Sequence, residues 1–327
     1  MSNNVKNGRL VDKAMARPEA AVVMVLSIMI IIIGIVEPKF FRVNNIMDVF
    51  RNASYSFIIA APLTLNMMSG GMDLTVGAVT SLGGVVCAAL MLAGVPEPIC
   101  ILAAIGAGAL CGLIKAYVTV TIGLHAFIAT LGLRYVFDGA LLVYTRGDPT
   151  LIGSDASDAF KALGQGSIGG VYWSFIIAII FAVVFQVILQ NTRYGRELCA
   201  TGGNEETARL AGINVAKTRY IISILLSATA AFVGVIYCSR FNSAQPTIGS
   251  GTEMTIMAAA IIGGASVGGG SGSLFGTFLG TLLIAVIKNG LVLMQVSSYW
   301  QNLVFGAILV LSLYIDKMRR ARTSGGH

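Results

Sequence analysis

The stretch TGGNEETARLAGINVAKTRY, residues 201–220, is a polar segment between two apolar runs. The run before it ends near Gln190, and the run after it begins at Tyr220. Such runs are typical of helices that cross a bilayer, which need about 20 mostly apolar residues each. The stretch therefore predicts a polar element at the surface of a membrane protein.

The composition of the whole chain supports a membrane location. Of the 327 residues, 56% are hydrophobic and 11% are charged, whereas a soluble domain carries about 25% charged residues. Glycine is abundant, with 39 residues, and proline is scarce, with 7, which suits membrane helices that pack through small residues. The net charge of +7 comes from Lys and Arg beside the apolar runs, as expected of cytoplasmic flanks rather than a nucleic-acid surface. We predict an all-α polytopic membrane protein that contacts lipid and no nucleic acid.

The five cysteines predict neither disulfides nor a metal site. Their number is odd, no CxxC pair occurs, and three lie within apolar segments. Buried structural thiols are therefore expected. The cysteines are Cys87, Cys100, Cys111, Cys199 and Cys238.

About ten segments are long and apolar enough to be membrane spans. They divide the chain into a cytoplasmic N-terminal segment (1–19), a transmembrane domain (20–315) with a cytoplasmic loop at 190–218, and a cytoplasmic C-terminal tail (316–327). The expected spans are 20–36, 54–70, 74–93, 99–118, 124–144, 172–189, 219–238, 254–268, 273–293 and 299–315.

The positive charges predict the orientation. An even number of spans places both termini on one side, and most Lys and Arg outside the spans lie on the side that also holds 190–218. The positive-inside rule therefore predicts that both termini are cytoplasmic. Division between the fifth and sixth spans gives two five-helix halves of opposite orientation, a possible inverted repeat of the kind common in transport proteins.

No catalytic motif is visible in the chain. The dipeptide Gly-Lys does not occur, and the only histidines are His125 and His327. Without Gly-Lys there is no Walker A loop to hold a nucleotide. We therefore expect no enzymatic activity, no metal and no cofactor on this chain, so that ATP and Mg²⁺ would be bound by a partner subunit.

Residues 204–212 predict a short capped helix. Asn204 is a suitable N-cap, Glu205 and Glu206 place negative charge at the positive end of the helix dipole, and Gly212 suits a left-handed end. A helix of about eight residues is marginal in isolation. It is therefore either a contact point for another protein or a solvated connector.

The sequence YGRELCATGGNEETARLAGINVAKTRYIISILLSATAAFVGVI around this helix closely resembles a loop of bacterial ABC importer permeases for monosaccharides, of the ribose-permease type. The stretches EPKFFRVNNIMDVFRNAS, SGGMDLTVGAV, HAFIATLGL, SAQPTIGSGTEM and VSSYWQNL are also similar, so the resemblance extends from about residue 20 to 315. It implies the membrane subunit of an ATP-driven, binding-protein-dependent importer of ribose or a similar aldose in the bacterial inner membrane. The implied partners are a cytoplasmic ABC ATPase, a periplasmic sugar-binding protein and a second permease subunit, identical or paralogous.

By this resemblance, the short helix is a coupling helix that docks on the ATPase subunit. The residues implied in the contact are Gly203, Asn204, Glu205, Glu206, Ala208, Arg209, Leu210 and Gly212.

Polar residues within the spans are candidates for the translocation path, because ionisable groups at membrane depth are costly unless paired, hydrated or functional. Asp73 either lines the path or caps the next helix by accepting from the amides of Thr75 and Val76. Arg134 and Asp138 are four residues apart and would meet on one helix face, where they either neutralise each other or line the path. The further candidates are Asn66, Lys288 and Asn289.

Glycines recur every fourth residue in GGASVGGGSGSLFGTFLG, residues 263–280. One glycine-lined helix face predicts close packing against another backbone, and a break at 268–272 is expected to divide two helices. The glycines are Gly264, Gly268, Gly272, Gly276 and Gly280.

Four arginines in the outside segments are expected to be exposed. The resemblance implies that a soluble binding protein docks on this side, and acidic patches on it would pair with such cations. The candidates are Arg42, Arg51, Arg146 and Arg240.

A stand-alone secondary carrier driven by an ion gradient is the alternative function. Such a carrier uses acidic residues within the membrane to bind and release protons. The available carboxylates are Asp73, Asp138 and, at the edge of a span, Glu253.

Overall fold

A computed structural model describes residues 18–153 and 156–324 of the chain. Most of the expected N-terminal segment 1–19 and the end of the C-terminal tail, 325–327, lie outside these residues. The described chain is largely helical. Its helices, in chain order, are α1 (Pro18–Val36), α2 (Val43–Met68), α3 (Val76–Leu92), α4 (Glu97–Ala116), α5 (Ala126–Thr145), α6 (Asp158–Gln165), α7 (Trp173–Asn191), α8 (Arg193–Gly203), α9 (Glu205–Leu210), α10 (Val215–Phe241), α11 (Thr252–Ile262), α12 (Leu274–Leu293) and α13 (Ser298–Ser324).

Six helices of the described residues are long and apolar enough to cross a membrane. They are α1, α4 with the π-helical turn Tyr117–Thr121 that extends it, α5, α7, α10 and α12. The prediction of an all-helical membrane protein is thereby confirmed. Helices α3 and α11 are apolar but shorter, with 17 and 11 residues, and 299–311 forms a third shorter apolar stretch within α13.

Helix α2 lies at the centre of the molecule. Its second half, from Ala53 to Met68, is buried almost without interruption, and Tyr55, Ile58 and Leu63 are 0% exposed. A helix that is apolar all round is stable only when other helices cover every face. The polar first half, with Asp48 and Arg51, explains why α2 does not resemble a simple membrane span in composition.

Helix α10 packs closely on α3 and α4 through small residues. A Cβ added to Gly234 of α10 would overlap the Thr80 carbonyl oxygen of α3, and a Cβ on Gly112 of α4 would lie 2.6 Å from the Ser223 carbonyl oxygen of α10. Such backbone approach is how membrane helices gain van der Waals contact when lipid is as apolar as their side chains.

The glycine-rich region also packs closely, as its spacing predicts. A Cβ on Gly276 would overlap the Gly263 carbonyl oxygen, and a Cβ on Gly280 would overlap that of Ala259. The break between the two helices is wider than expected, because α11 ends at Ile262 and α12 begins at Leu274. Gly264, Gly269 and Gly270 adopt positive φ angles in this loop, which a continuous helix does not allow.

Two small sheets must be added to the all-α expectation. Strands β1 (Thr150–Leu151) and β4 (Ser243–Ala244) pair antiparallel, and β2 (Ser167–Ile168) and β3 (Val171–Tyr172) form a hairpin. All four strands lie in connections at the end of the molecule that also holds α6. The Ser239 hydroxyl of α10 accepts from the Gly164 amide of α6 at 2.9 Å, which fixes α6 on the bundle.

Candidate functional site

Helix α9 is the short capped helix that the sequence predicts. The Asn204 side chain accepts from the Thr207 amide at 2.9 Å, and Gly212 has a φ of +80°. Helix α9 has six residues rather than about eight, because the chain leaves the helix at Leu210 and turns through Ala211 and Gly212. Arg209 Nη2 lies 2.6 Å from Glu205 Oε1, so the two charges brace one face of the helix.

Helix α9 presents one side to the protein and the other to its surroundings. Ala208 is 3% exposed, whereas Leu210 is 85% exposed. Glu206 and Arg209 are also exposed. An exposed leucine beside charged residues on a braced helix is a surface suited to a protein partner.

Helix α8, directly before α9, was not expected from the sequence, in which 190–218 was interpreted as a loop with a single helix. The signals were present, since Thr192 caps α8 by accepting from the Gly195 amide at 3.2 Å, and Leu198 of α8 is 0% exposed. Burial raises the pKa of the Cys199 thiol and of the Tyr194 phenol above their usual values, so both groups stay neutral and anchor α8 by packing.

The end of α8 meets two other segments at a point that we call the α8 junction, formed by Met68, Gly202, Gly269 and Gly270. The Gly270 amide donates to the Met68 carbonyl at 2.8 Å. A Cβ on Gly202 would overlap that same carbonyl oxygen, and one on Gly269 would lie 2.5 Å from the Gly202 carbonyl oxygen. The residues before α9 are therefore in backbone contact with the end of α2 and with the loop between α11 and α12.

Asp73 is buried and paired with Lys115, a partner that sequence reasoning missed. The Lys115 ammonium donates to Asp73 Oδ2 and, at 3.1 Å, to the Ser227 hydroxyl of α10. Asp73 Oδ1 accepts from the Thr75 amide at 2.8 Å, as expected, and from the Thr75 hydroxyl at 2.6 Å. The capping interpretation is thus confirmed for Thr75, and the ion pair joins α4 and α10 to the segment between α2 and α3.

Arg134 and Asp138 meet on α5 as their spacing predicts, with Arg134 Nε 3.5 Å from Asp138 Oδ2. Arg134 Nη1 also lies 2.5 Å from Glu253 Oε1 at the start of α11. The Glu253 side chain is 1% exposed, but those of Arg134 and Asp138 are 18% and 27% exposed. The two α5 members of this triad, Arg134 and Asp138, therefore reach the surface of the described chain, whereas Glu253 of α11 is buried.

The other path candidates lie in different surroundings. Lys288 is exposed, and Asn289 exchanges side-chain hydrogen bonds of 2.8 and 3.0 Å with Asn45 of α2. Asn66 lines a polar cavity of about 340 Å³ beside α9. Lys115 and His125 also line this cavity. The structure thus brings Asn66, but not Lys288 or Asn289, to this cavity.

Two of the four arginines, which were expected to be exposed, are only partly exposed. Arg51 pairs with Asp48 at 2.5 Å and lies over the Tyr172 ring, 4.1 Å from its centroid. Arg240 donates to Asn52 Oδ1 at 2.9 Å. Their exposure was overestimated because these partners are brought in by folding. Arg42 and Arg146 are exposed.

The described chain is an all-helical membrane protein that exposes a short capped helix, and the helix before it is in backbone contact with the bundle. The sequence matches the family described as branched-chain amino acid transport system / permease component over residues 45–313. The chain belongs to this family. It is the permease subunit of an ABC importer, it is not an enzyme, and ATP is hydrolysed by a separate subunit.

Several relatives are similar over nearly the full length. The ribose import permease protein RbsC of Escherichia coli (strain K12) is 34% identical over 323 residues, which are 98% of this chain and 99% of the relative. The protein of the same name in Bacillus subtilis (strain 168) is 35% identical over 296 residues, 90% and 92% of the two chains. The D-allose transport system permease protein AlsC of Escherichia coli (strain K12) is 33% identical over 296 residues, 90% of each chain. No solved structure matches the chain.

Proposed function

We propose that this permease subunit imports ribose or a similar aldose across the bacterial inner membrane, with a periplasmic binding protein delivering the sugar. The similarity to relatives named for ribose and allose supports the substrate class. The chain's own groups support a neutral substrate, because Asp73, Asp138 and Glu253 are each ion-paired. Those pairings also favour this function over a proton-coupled carrier, whose carboxylates must be able to release and bind protons.

Helix α9 is the element through which the ATPase drives this chain. The observation that carries this assignment is its division into a buried anchor at Ala208 and an exposed surface at Glu206, Arg209 and Leu210. The helix and its ends are shaped by Gly203, Asn204, Glu205 and Gly212. All eight residues implied by the resemblance therefore contribute to one docking element. ATP and Mg²⁺ are bound by the partner.

The charge reversal Glu205→Lys with Arg209→Glu tests this assignment. It keeps the pairing within α9 but inverts the surface charges and breaks the contact of Glu205 Oε2 with Arg219 Nη2, 2.8 Å away. We expect uptake and co-purification of the ATPase to fall at least tenfold while membrane insertion is unchanged. Normal uptake by the double variant would contradict the assignment.

We further propose ten spans with both termini in the cytoplasm and two five-helix halves of opposite orientation. Helices α2, α3, α11 and α13 join the six long apolar helices in this arrangement, and the concentration of Lys and Arg beside α9 supports it. A fluorescent protein fused after residue 327 should then mature in the cytoplasm, and a non-fluorescent fusion of full yield would contradict the orientation.

The partial exposure of Arg134 and Asp138 on α5 is evidence that a second permease subunit contacts this face. Charges at membrane depth face protein or water rather than lipid, and Arg134 and Asp138 are partly exposed on the single chain. We propose that α5 faces the translocation path beside a second copy or a paralogue.

Cysteine cross-linking tests this interface. Val136 is 60% exposed on α5, and Val183 is 57% exposed on α7. In a variant without the native cysteines, Val136→Cys should give an intermolecular disulfide on mild oxidation in membranes. Val183→Cys should not. Cross-linking at residue 183 instead of 136 would move the interface to α7.

Binding-protein docking is best supported for two arginines. Arg42 and Arg146 are exposed near one end of the bundle, where acidic side chains of a soluble partner could reach them. Arg51 and Arg240 support the fold of the same surface instead. Charge reversal at Arg42 and Arg146 should weaken binding-protein stimulation of the ATPase in a salt-dependent manner, and unchanged stimulation at low salt would exclude them.

A further inference from the structure

The polar cavity beside α9 is built from the ends of several helices. It lies where α2 ends, where α4 and its π-helical turn end, and where α5 and α10 begin. Its volume of about 340 Å³ falls at the lower end of the roughly 300–1,000 Å³ found for small-molecule sites. Apolar side chains at Val120, Leu124 and Phe127 share the lining with polar ones, a mixture that suits the C–H and O–H groups of a sugar.

Two polar groups of the lining have no partner within the described part of the chain. The Asn66 side chain is 6% exposed and makes no side-chain hydrogen bond there. The His125 imidazole, at the start of α5, is likewise without one. A nearly buried amide without a partner is costly, so a bound solute or water that hydrogen bonds to it is favoured.

Both permanently cationic side chains of the lining are ion-paired. Lys115 pairs with Asp73, and Arg219 Nη2 lies 2.8 Å from Glu205 Oε2, a carboxylate that also pairs with Arg209. An anion would have to compete with these carboxylates, whereas a hydroxyl group needs only donors and acceptors. The lining therefore favours a neutral, hydroxyl-rich solute.

Arg219 connects the cavity to α9. It lines the cavity, and its guanidinium holds Glu205 in the first turn of α9. Its Nε is buried and has no acceptor among the described residues. A solute that hydrogen bonds to this guanidinium would change how firmly Arg219 holds Glu205.

We propose that this cavity binds the transported sugar from the side of α9, and that its occupancy is transmitted through Arg219 to α9 and slows the transport cycle. The inference rests on the proposed function for the identity of the solute. It adds a second, regulatory binding event in which accumulated sugar inhibits its own import. Asn66 and His125 bind the solute, and Arg219 is a positioning residue for α9.

The test uses the full complex of permease, ATPase and binding protein in proteoliposomes with ATP inside. Internal ribose should lower the initial rate of ribose import, and sodium phosphate at equal osmolarity should not. Asn66→Ala should raise the half-inhibitory concentration of ribose about fivefold to tenfold, because one hydrogen bond is lost. Gln186→Ala, which removes an amide of α7 outside this cavity, should leave that concentration unchanged.

Saturation-transfer NMR of ribose with the permease and ATPase in nanodiscs, without the binding protein, separates binding from transmission. Arg219→Lys should keep the ribose signal and lose the inhibition, whereas a purely structural role of Arg219 would weaken both. Import that is independent of internal ribose, or Asn66→Ala that is inhibited like the unaltered complex, would overturn the proposal. Inhibition by phosphate instead of ribose would contradict the binding of a neutral solute in this cavity. If the complex does not import ribose, the proposed substrate fails, and the NMR signal still decides whether the cavity binds it.

Discussion

Gly202→Ala is expected to disrupt the α8 junction and to abolish transport. The new Cβ would overlap the Met68 carbonyl oxygen and lie 2.8 Å from the Gly270 amide nitrogen. Both are backbone atoms, so no rotamer change relieves the clash, and the 2.8 Å hydrogen bond between them would be broken. Overpacking of this kind destabilises by about 1–3 kcal/mol. The junction connects α8 to α2 and to the loop before α12. We therefore expect the rate of uptake to fall further than the loss of folded protein alone would explain.

The neighbouring Gly203→Ala provides the matched control for folding. No atom lies within 4 Å of a Cβ at this position, and alanine in a helix is about 0.5–1 kcal/mol more favourable than glycine. Thermal unfolding in detergent should therefore show a lower midpoint for Gly202→Ala and an equal or higher midpoint for Gly203→Ala. Equal midpoints for the two variants would contradict the close backbone contact at Gly202.

Lys115→Met is expected to have the second large effect, because it leaves the Asp73 carboxylate buried without its counter-ion. Asp73 is 0% and Lys115 2% exposed. Removal of one partner of a buried ion pair costs about 3–5 kcal/mol, whereas replacing both partners by uncharged groups is often nearly neutral. Asp73→Asn alone leaves the Lys115 ammonium unpaired and should be destabilising for the same reason.

The double variant Asp73→Asn with Lys115→Met isolates the ion pair. The amide at residue 73 can still accept from the Thr75 amide, which keeps the local cap. We expect the double variant to unfold at a higher temperature than either single variant, and a coupling energy of opposite sign to the single losses. Additive losses would show that the two side chains do not stabilise each other.

Local features of the structure could be predicted from the sequence, because neighbours along the chain determine them. Asn204 and Gly212 mark the ends of α9, and Arg134 meets Asp138 one turn away. The glycine spacing likewise predicts that the glycine-rich region packs closely against another backbone. Each depends only on helix geometry and on the residues within one or two turns.

The remaining contacts of the site depend on which helices become neighbours, which the sequence does not show. Lys115 is 42 residues from Asp73, and Asn45 is 244 residues from Asn289. Arg51 and Arg240 seemed free for a partner because Tyr172 and Asn52 come close only after folding. Helix α8 was missed for a different reason. Its sequence is mostly polar and resembles a loop, and the single buried Leu198 is too weak an apolar signal to indicate a helix.

Reconstitution of the purified chain tests the central claim, that a separate ATPase drives this permease through α9. With the ATPase subunit, the binding protein and ATP, proteoliposomes should accumulate sugar above the external concentration. The chain alone, under a proton or sodium gradient, should accumulate none. Uphill transport by the chain alone would contradict the account.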